Sequence, residues 1–260
     1  MLRADLFSNQ PLDCNPYNVF VLREGEVHIW RILLNDELLA NAGSLVSLLS
    51  PNDFEDIARV NFEIDQNRLI VRRAFVRVLL SRYLKINLQN LTFTRNCWGK
   101  PFVSPSENQC LEFNCSRADD AVLLGVSRLC TLGVDIERIG VDIQFEELAP
   151  VALSEAEREF WGNQTGLEGK RQFLRLWCRK EACLKAIGIG LLDDLTMLTV
   201  TPAVIDFRGF PDERARTAGC NEVFLQDINL GHMHVSALAT TAPVAPVCES
   251  PVLKDLAIAG

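Results

Sequence analysis

The sequence predicts an α+β fold of two similar subdomains, each with a long helix packed on a small, mainly antiparallel sheet. A strand-like segment, a Leu-Ser turn, a long helical pattern and a second strand occur in this order twice, with Leu-Ser at Leu49 and again at Leu153. A two-copy repeat of this length favours a pseudo-twofold pair of subdomains over a solenoid. We place the join near residue 130, which divides the chain into 1–130 and 131–260.

The first copy begins with a strand-like segment at 26–34. Ser50 and Pro51 are the residue types that favour a helix N-cap and the first helical position. A long helical pattern follows, and the apolar run at 121–127 predicts the strand that closes the copy. These signals give the N-terminal subdomain its strand–helix–strand order.

The helix predicted over 68–85 is apolar around almost its whole circumference, so we expect it to be largely buried. It carries no acidic residue, and arginines on a buried helix need anionic partners. Two interpretations stay open: pairing with Asp or Glu inside the protein, or a cleft for a polyanionic ligand. The basic residues are Arg68, Arg72, Arg73, Arg77, Arg82 and Lys85.

The second copy begins with a strand at 132–139, where alternation places Asp135 and Glu137 on one face. Neighbouring carboxylates repel unless a cation lies between them, and hard oxygen ligands suit Mg²⁺. A solvated edge strand is the competing interpretation of this pair. Ser154 and Glu157 then have the spacing of a capping box, which predicts a helix start.

The second long helix carries Glu181 and Lys185 one turn apart, a spacing that also occurs in ordinary surface ion pairs. The glycines of the segment 188–190 predict the end of this helix. Because no strand precedes them, they do not form a dinucleotide-binding fingerprint. A strand at 234–239 completes the copy, and the tail 241–260 is expected to be extended or frayed.

The composition excludes several classes of protein. The chain has 26 basic and 34 acidic residues, a net charge of -8 and a pI near 5.0, which disfavours a dedicated nucleic-acid binder. Hydrophobic residues make up 48%, which is ordinary for a globular protein. No apolar run is long enough to cross a bilayer, and no signal peptide is visible. We therefore expect a cytoplasmic protein that binds neither nucleic acid nor membrane.

The nine cysteines form no Cys-x-x-Cys pair, so we expect reduced thiols rather than a zinc site or a disulfide framework. His232 and His234 lie on an alternating strand without a third ligand nearby in sequence. We therefore expect structural histidines there rather than a metal pair.

Four motifs in a fixed order carry a family resemblance. They are Gly-Lys-Pro at 99–101, Phe-Asn-x-Ser at 113–116, Gly-Val-Asp-Ile-Glu at 133–137 and Trp-x-x-Lys-Glu-Ala-x-x-Lys-Ala-x-Gly-x-Gly-Leu at 177–191. This order resembles the 4'-phosphopantetheinyl transferases, in particular the larger pseudo-dimeric type that activates nonribosomal peptide and polyketide synthases. The resemblance extends from about Ser50 to Leu191 and includes the arginine-rich helix.

The resemblance implies a reaction of the holo-acyl-carrier-protein synthase type. The phosphopantetheine arm of coenzyme A is transferred to a serine of an apo carrier protein, with Mg²⁺ as cofactor, and 3',5'-ADP is released. Phosphoryl transfer depends on charge neutralisation and in-line positioning more than on covalent chemistry. Two alternatives stay open: a non-catalytic carrier-binding relative, and a different Mg²⁺-dependent nucleotide enzyme.

The resemblance also implies roles for particular residues. Asp135, Glu137 and Glu181 would hold Mg²⁺, and Glu181 or a water that it orients would accept the serine proton. Lys185 would neutralise the pyrophosphate or the leaving 3',5'-ADP. The site would lie in the cleft between the subdomains of a monomer. The expected coenzyme A contacts are Arg73, Lys100, Pro101, Ser116, Arg117, Lys180 and Lys185.

The chain departs from the family pattern at two places. Arg117 stands where the family commonly has histidine, and arginine is a good phosphate ligand that stays charged near neutrality. Some members have basic residues after the Leu-Ser-Pro turn, whereas this chain has Asn52, Asp53 and Asp56. We expect Arg73 to take over that phosphate contact.

Overall fold

Two long helices, each packed against a four-stranded sheet, dominate the computed structural model. This arrangement confirms the predicted α+β fold with two related halves. The structure describes residues 21–23, 25–104, 111–140, 144–162, 164–208, 210–244 and 253–256.

The first half, up to Ser127, holds three helices and five strands among the described residues. Short 3-10 turns lie at Ala42–Leu48 and Leu88–Asn90. The elements are β1 (Val27–Leu33), α1 (Asp36–Ala40), α2 (Pro51–Ala58), α3 (Glu63–Leu84), β2 (Phe93–Arg95), β3 (Pro101–Val103), β4 (Glu112–Ala118) and β5 (Ala121–Ser127).

The second half repeats the same order of strand, long helix and strand. A 3-10 turn at Leu195–Met197 follows its long helix. The elements are β6 (Leu132–Arg138), α4 (Phe145–Ala152), α5 (Glu155–Trp161), α6 (Gly166–Ile187), β7 (Val204–Asp206), α7 (Glu213–Thr217), β8 (Glu222–Asp227), β9 (His234–Thr240) and β10 (Leu253–Leu256).

The strands form two four-stranded sheets, in the orders β10-β1-β5-β4 and β6-β9-β8-β7, and a small pair of β2 with β3. All pairs are antiparallel except β10, which lies parallel to β1 with Trp30 opposite Lys254. Within the tail 241–260, which was expected to be extended or frayed, Leu253–Leu256 is extended and pairs as β10, a strand that the sequence did not indicate. The segments 245–252 and 257–260 lie outside the described residues.

Both Leu-Ser turns start helices, as predicted. Ser50 caps α2 and Ser154 caps α5, and each serine forms a reciprocal capping box with the acid three residues later, Asp53 or Glu157. These boxes satisfy two of the backbone N–H groups that a helix start leaves without partners. Both acids are almost completely buried, which gives them further roles described below.

Close packing of α6 on β6 positions the second helix over its sheet. At Gly133, an added Cβ would lie 2.0 Å from the Ala182 carbonyl oxygen and 2.5 Å from the Ala186 nitrogen. Only glycine permits this approach of strand and helix backbones. As a result, the face of α6 that carries Glu181 and Lys185 comes directly next to the acidic end of β6.

The six cysteines in the described part of the chain are free, at positions 97, 115, 130, 178, 183 and 220. Cys14, Cys110 and Cys248 lie outside the described residues. Across the described ranges, every helix is too short or too polar to cross a bilayer.

Candidate active site

Strands β4 and β6 bring two of the sequence motifs together where the halves meet. The Val134 backbone N–H donates to Asn114 Oδ1 at 2.9 Å, which bridges the two strands through a side chain. Two residues further along β4, Ser116 Oγ donates to Asp135 Oδ1 at 2.7 Å. Phe-Asn-x-Ser therefore fixes the position of the acidic strand, a function of Asn114 that the sequence did not reveal.

Helix α6 adds an ammonium group and a second carboxylate to this point. Lys185 Nζ lies 2.6 Å from Asp135 Oδ1, 3.3 Å from Ser116 Oγ and 3.8 Å from Glu181 Oε2. The side chain of Asp135 is 4% exposed and that of Glu181 is 16% exposed. Glu181 and Lys185 are therefore not an ordinary surface ion pair, because Lys185 also contacts the buried carboxylate of Asp135 on strand β6.

Glu137 is the third carboxylate of the group, two residues beyond Asp135 on the same strand. The pKa of Glu137 is raised to about 7, first by burial and then by the negative charges of Asp135 and Glu181. The positive charge of Lys185 and a hydrogen bond with the side chain of Trp177 oppose this increase. Trp177 is a further member of the site, although the sequence indicated it only as part of a motif.

The pKa values of Glu181 and Lys185 are shifted by burial and by the charges of each other and of Asp135. Burial raises the pKa of Glu181, and the attraction of Lys185 limits the shift. Burial alone would lower the pKa of Lys185, but attraction by Asp135, their hydrogen bond and the charge of Glu181 outweigh it, so this pKa is raised. Lys185 therefore stays an ammonium ion between the carboxylates.

The donor atoms at this point fit a hard divalent cation. Asp135 Oδ2 and Glu181 Oε1 are buried and have no hydrogen-bond partner among the described residues. Within the same residues, no three His, Cys, Asp or Glu side chains form a metal site by themselves. Mg²⁺ commonly takes one or two protein carboxylates together with substrate phosphates and water, so a partial set suffices for it.

Two cavities share Arg72 in their lining, and the first of them reaches the carboxylate strand at Glu137. The first, of about 610 Å³, is lined by Glu137, Arg72 and Arg117 among others. The second, of about 540 Å³, is lined by Arg72, Pro101 and Cys115 among others. Of the predicted coenzyme A contacts, Pro101, Arg117 and Arg73 line these cavities, and Ser116 lies beside them on β4.

Most of the basic residues on α3 have partners inside the protein. Arg73 Nη2 lies 2.6 Å from Asp56 Oδ2, and its Nε lies 3.5 Å from Asp53 Oδ1. Arg77 also lies 3.7 Å from Asp53 and donates to three backbone carbonyls. The internal-pairing interpretation is thus confirmed for these two arginines, and the charge of Arg73 is already compensated by α2.

The expected coenzyme A contact of Lys180 is wrong. Its side chain is 1% exposed, and Nζ lies 2.7 Å from Glu157 Oε2. Lys180 Nζ also donates to the carbonyls of Leu195, at 2.7 Å, and Leu198. Lys180 points into the core, where it joins α6 to the start of α5, and it cannot touch a ligand.

The ammonium group of Lys100 is also used inside the protein. Lys100 Nζ donates to the carbonyls of Leu132, Lys185 and Ala186 at 3.1, 2.7 and 3.2 Å. An ammonium has three N–H donors, so these three carbonyls match its full donor capacity. Lys100 therefore holds the end of α6. Lys100 also lines a cavity of about 850 Å³ and Pro101 lines the cavity of about 540 Å³, so their coenzyme A contacts stay predictions.

His234 has the structural role that the sequence predicted. Its Nε2 lies 2.8 Å from Asp120 Oδ1, so the histidine on β9 contacts the turn between β4 and β5. This contact joins the two halves of the protein.

Comparisons with known proteins agree with this architecture. The 4'-phosphopantetheinyl transferase superfamily model matches residues 131–237, and the model of the N-terminal part of 4'-phosphopantetheinyl transferase matches residues 39–128. A phosphopantetheinyl transferase of Thraustochytrium sp. is 29% identical over 163 residues, which cover 58% of this chain and 57% of that protein.

Two cyanobacterial relatives are covered more fully. The 4'-phosphopantetheinyl transferase HetI of Nostoc sp. is 29% identical over 177 residues, which cover 68% of this chain and 74% of that protein. A protein of Synechocystis sp., provisionally named a 4'-phosphopantetheinyl transferase, is 31% identical over 173 residues, which cover 64% of this chain and 68% of that protein. With both halves matched and the motifs meeting in one site, the chain belongs to the 4'-phosphopantetheinyl transferase superfamily.

Proposed function

We propose that this protein transfers the 4'-phosphopantetheine arm of coenzyme A to a serine of an apo carrier protein, with Mg²⁺ as cofactor, and releases 3',5'-ADP. The observation that carries the proposal is the convergence of Asp135, Glu181 and Lys185 from two distant segments. Glu137, two residues from Asp135 on the same strand, lines a cavity of about 610 Å³ together with Arg72 and Arg117. The names of the relatives support transfer of a phosphopantetheine group. Because one chain supplies the whole site, we propose that a monomer acts.

In this reaction, the serine oxygen attacks the phosphorus on the pantetheine side of the pyrophosphate. A new P–O bond forms, and the bond to the bridging oxygen of 3',5'-ADP breaks. Glu181, or a water that it orients, accepts the serine proton, and Oε1 of Glu181 has no other partner among the described residues. Lys185 provides positive charge next to the leaving phosphate.

The carboxylates fit the proposed cofactor by their chemistry. Asp135, Glu137 and Glu181 would hold Mg²⁺ through oxygen atoms, and water and substrate oxygens would complete its coordination. Mg²⁺ bound there would neutralise charge on the pyrophosphate during transfer. Ser116 and Lys185 orient Asp135 by hydrogen bonds to Oδ1, so that Oδ2 stays available.

The test is incubation of the protein with coenzyme A, Mg²⁺ and a panel of apo carriers, followed by intact-mass measurement of each carrier. We expect one carrier or more to gain a single phosphopantetheine group, and ATP to compete poorly with coenzyme A. Carrier binding without any mass gain would favour a non-catalytic relative instead. Strong competition by ATP without transfer would favour a different nucleotide enzyme.

A further inference from the structure

The last turn of α6 is held by a side chain from the other half of the protein. The final four carbonyls of a helix have no partner N–H inside the helix. In α6 the Leu184 carbonyl accepts from the backbone N–H of Gly188, which begins the turn that follows. The carbonyls of Lys185 and Ala186 instead accept from Lys100 Nζ, at 2.7 and 3.2 Å. The end of this helix therefore depends on a lysine of the first half.

The same ammonium group also contacts strand β6. Lys100 Nζ donates to the Leu132 carbonyl at 3.1 Å, three residues before Asp135. The side chains of β6 and α6 meet where Lys185 Nζ lies 2.6 Å from Asp135 Oδ1. One charge bonded to both backbones thus fixes the spacing of strand and helix next to that contact. A cation at the end of a helix also interacts favourably with the helix dipole.

The turn around Lys100 fixes the position of this side chain. Asn96 Oδ1 accepts from the Lys100 backbone N–H at 2.9 Å, and Asn96 Nδ2 donates to the Gly188 carbonyl at 2.8 Å. A Cβ at Gly188 would lie only 3.1 Å from Lys100 Cδ, so the lysine stem packs closely against the helix end. Burial lowers the pKa of Lys100 to about 8, so at pH 7 the group is still an ammonium ion.

The next residue along the chain connects this turn to a candidate donor site. Pro101 lines the cavity of about 540 Å³, whereas Lys100 Nζ reaches the backbones of α6 and β6. If coenzyme A binds in that cavity, the turn lies between the bound donor and the helix that carries Glu181 and Lys185.

We propose that Lys100 is a positioning residue for the transfer reaction, which keeps Lys185 against Asp135 through the backbones of α6 and β6. The inference rests on the proposed function. A residue that binds the donor equally in the ground state and the transition state affects mainly KM, whereas a positioning residue affects mainly kcat. A misplacement of about 1 Å in an active site can lower the rate about 100-fold.

The test compares Lys100→Met and Lys100→Arg with the wild type at pH 7. Methionine fills the space of the lysine stem but donates no hydrogen bond, whereas arginine keeps a charge and N–H donors. We expect Lys100→Met to lower kcat about 10- to 100-fold, and to leave KM for coenzyme A and calorimetric binding of 3',5'-ADP unchanged. Lys100→Arg should recover part of kcat.

Hydrogen exchange reports on the helix end separately from the activity. In Lys100→Met the amides of the last turn of α6, at 184–188, should exchange faster than in the wild type, and those of the last turn of α3 should not. Lys85→Met is the matched control, because Lys85 is an exposed lysine directly after α3, the other long helix. This control should leave kcat and the exchange of α6 unchanged.

A normal kcat of Lys100→Met would overturn the positioning role. A raised KM and weaker 3',5'-ADP binding at normal kcat would overturn it as well, and would show a direct contact with coenzyme A. A wild type that transfers to no carrier would refute the proposed function and this role with it.

Thr131→Val takes the place of Lys100→Met if circular dichroism shows that the latter does not fold. It removes the hydroxyl that donates to the Ala186 carbonyl at 2.9 Å and leaves Lys100 in place. A lower kcat at unchanged KM would support control of the reaction through this helix end, and a normal kcat would contradict it.

Discussion

The ammonium of Lys185 lies 2.6 Å from the carboxylate of Asp135, although the two residues are 50 positions apart and belong to a helix and a strand. The contact exists because Gly133 lets α6 approach β6 closely enough for their side chains to meet. Ser116, from the other half of the chain, donates to the same carboxylate oxygen. This oxygen thus joins β4, β6 and α6. Changes in the packing of these elements should therefore affect the rate of transfer as well as the free energy of unfolding.

Glu181→Gln should lower kcat of the transfer by about 10²- to 10⁴-fold, the usual contribution of a positioned general base. The amide fills the same space but cannot accept the serine proton. We expect the fold to persist, as checked by circular dichroism. Glu168→Gln is the matched control, because Glu168 is an exposed acid at the start of the same helix. Near-normal turnover of Glu181→Gln would remove this residue from the mechanism.

Gly133→Ala should separate α6 from β6. The new Cβ would meet backbone atoms of Ala182 and Ala186 that cannot turn aside as a flexible side chain can. Overpacking of this kind costs about 1–3 kcal/mol of unfolding free energy, and we also expect a lower kcat because Lys185 moves from Asp135. Gly43→Ala, where the added Cβ meets nothing within 4 Å, is the control in denaturant titrations and transfer assays. Equal stability of the two variants would contradict the packing argument.

Lys180→Met should destabilise the fold rather than weaken coenzyme A binding. The change leaves Glu157, which is fully buried, without the ammonium group 2.7 Å away. Removal of one partner from a buried ion pair costs about 3–5 kcal/mol, as guanidinium titration would show. The double variant Glu157→Gln with Lys180→Met should regain part of this loss. A raised KM for coenzyme A at unchanged stability would show instead that Lys180 contacts the ligand.

The stability of the protein should depend on pH through Lys100. Burial lowers the pKa of Lys100 from 10.5 to about 8, and the charge of Glu112 partly opposes the shift. Between these two values the unfolded chain binds more protons than the folded one, so the contribution of Lys100 to stability grows as pH rises from 8 to 10.5 and is lost as pH falls through 8. Titrations of the wild type and Lys100→Met across this range measure the difference. A constant difference would contradict the expectation.

The elements with local signals could be predicted from the sequence. Ser50 and Ser154 each begin a helix, because a serine N-cap and an acid three residues later interact within a single helical turn. The repetition of this helix start along the chain indicated the two halves. The strand β10 could not be predicted in this way. Its partner β1 lies more than 200 positions away, and pairing over that distance leaves no local pattern.

The candidate site was predicted in part, because spacing identifies neighbours on an element but not the partners that other elements supply. The approach of Asp135 and Glu181 followed from the family resemblance. Lys180 is next to Glu181 in sequence, but one residue along a helix turns the side chain by about 100°, and here it points to Glu157 in the core. Arg73 was expected to bind phosphate, whereas α2 brings Asp56 against it.

The most direct test of the account is a crystal structure with coenzyme A and Mn²⁺, an anomalously scattering ion that takes the same carboxylate ligands as Mg²⁺. The account predicts an anomalous peak at the carboxylates of Asp135 and Glu181, in contact with the pyrophosphate of coenzyme A. A pyrophosphate bound elsewhere, or carboxylates that face away from the ion, would contradict it.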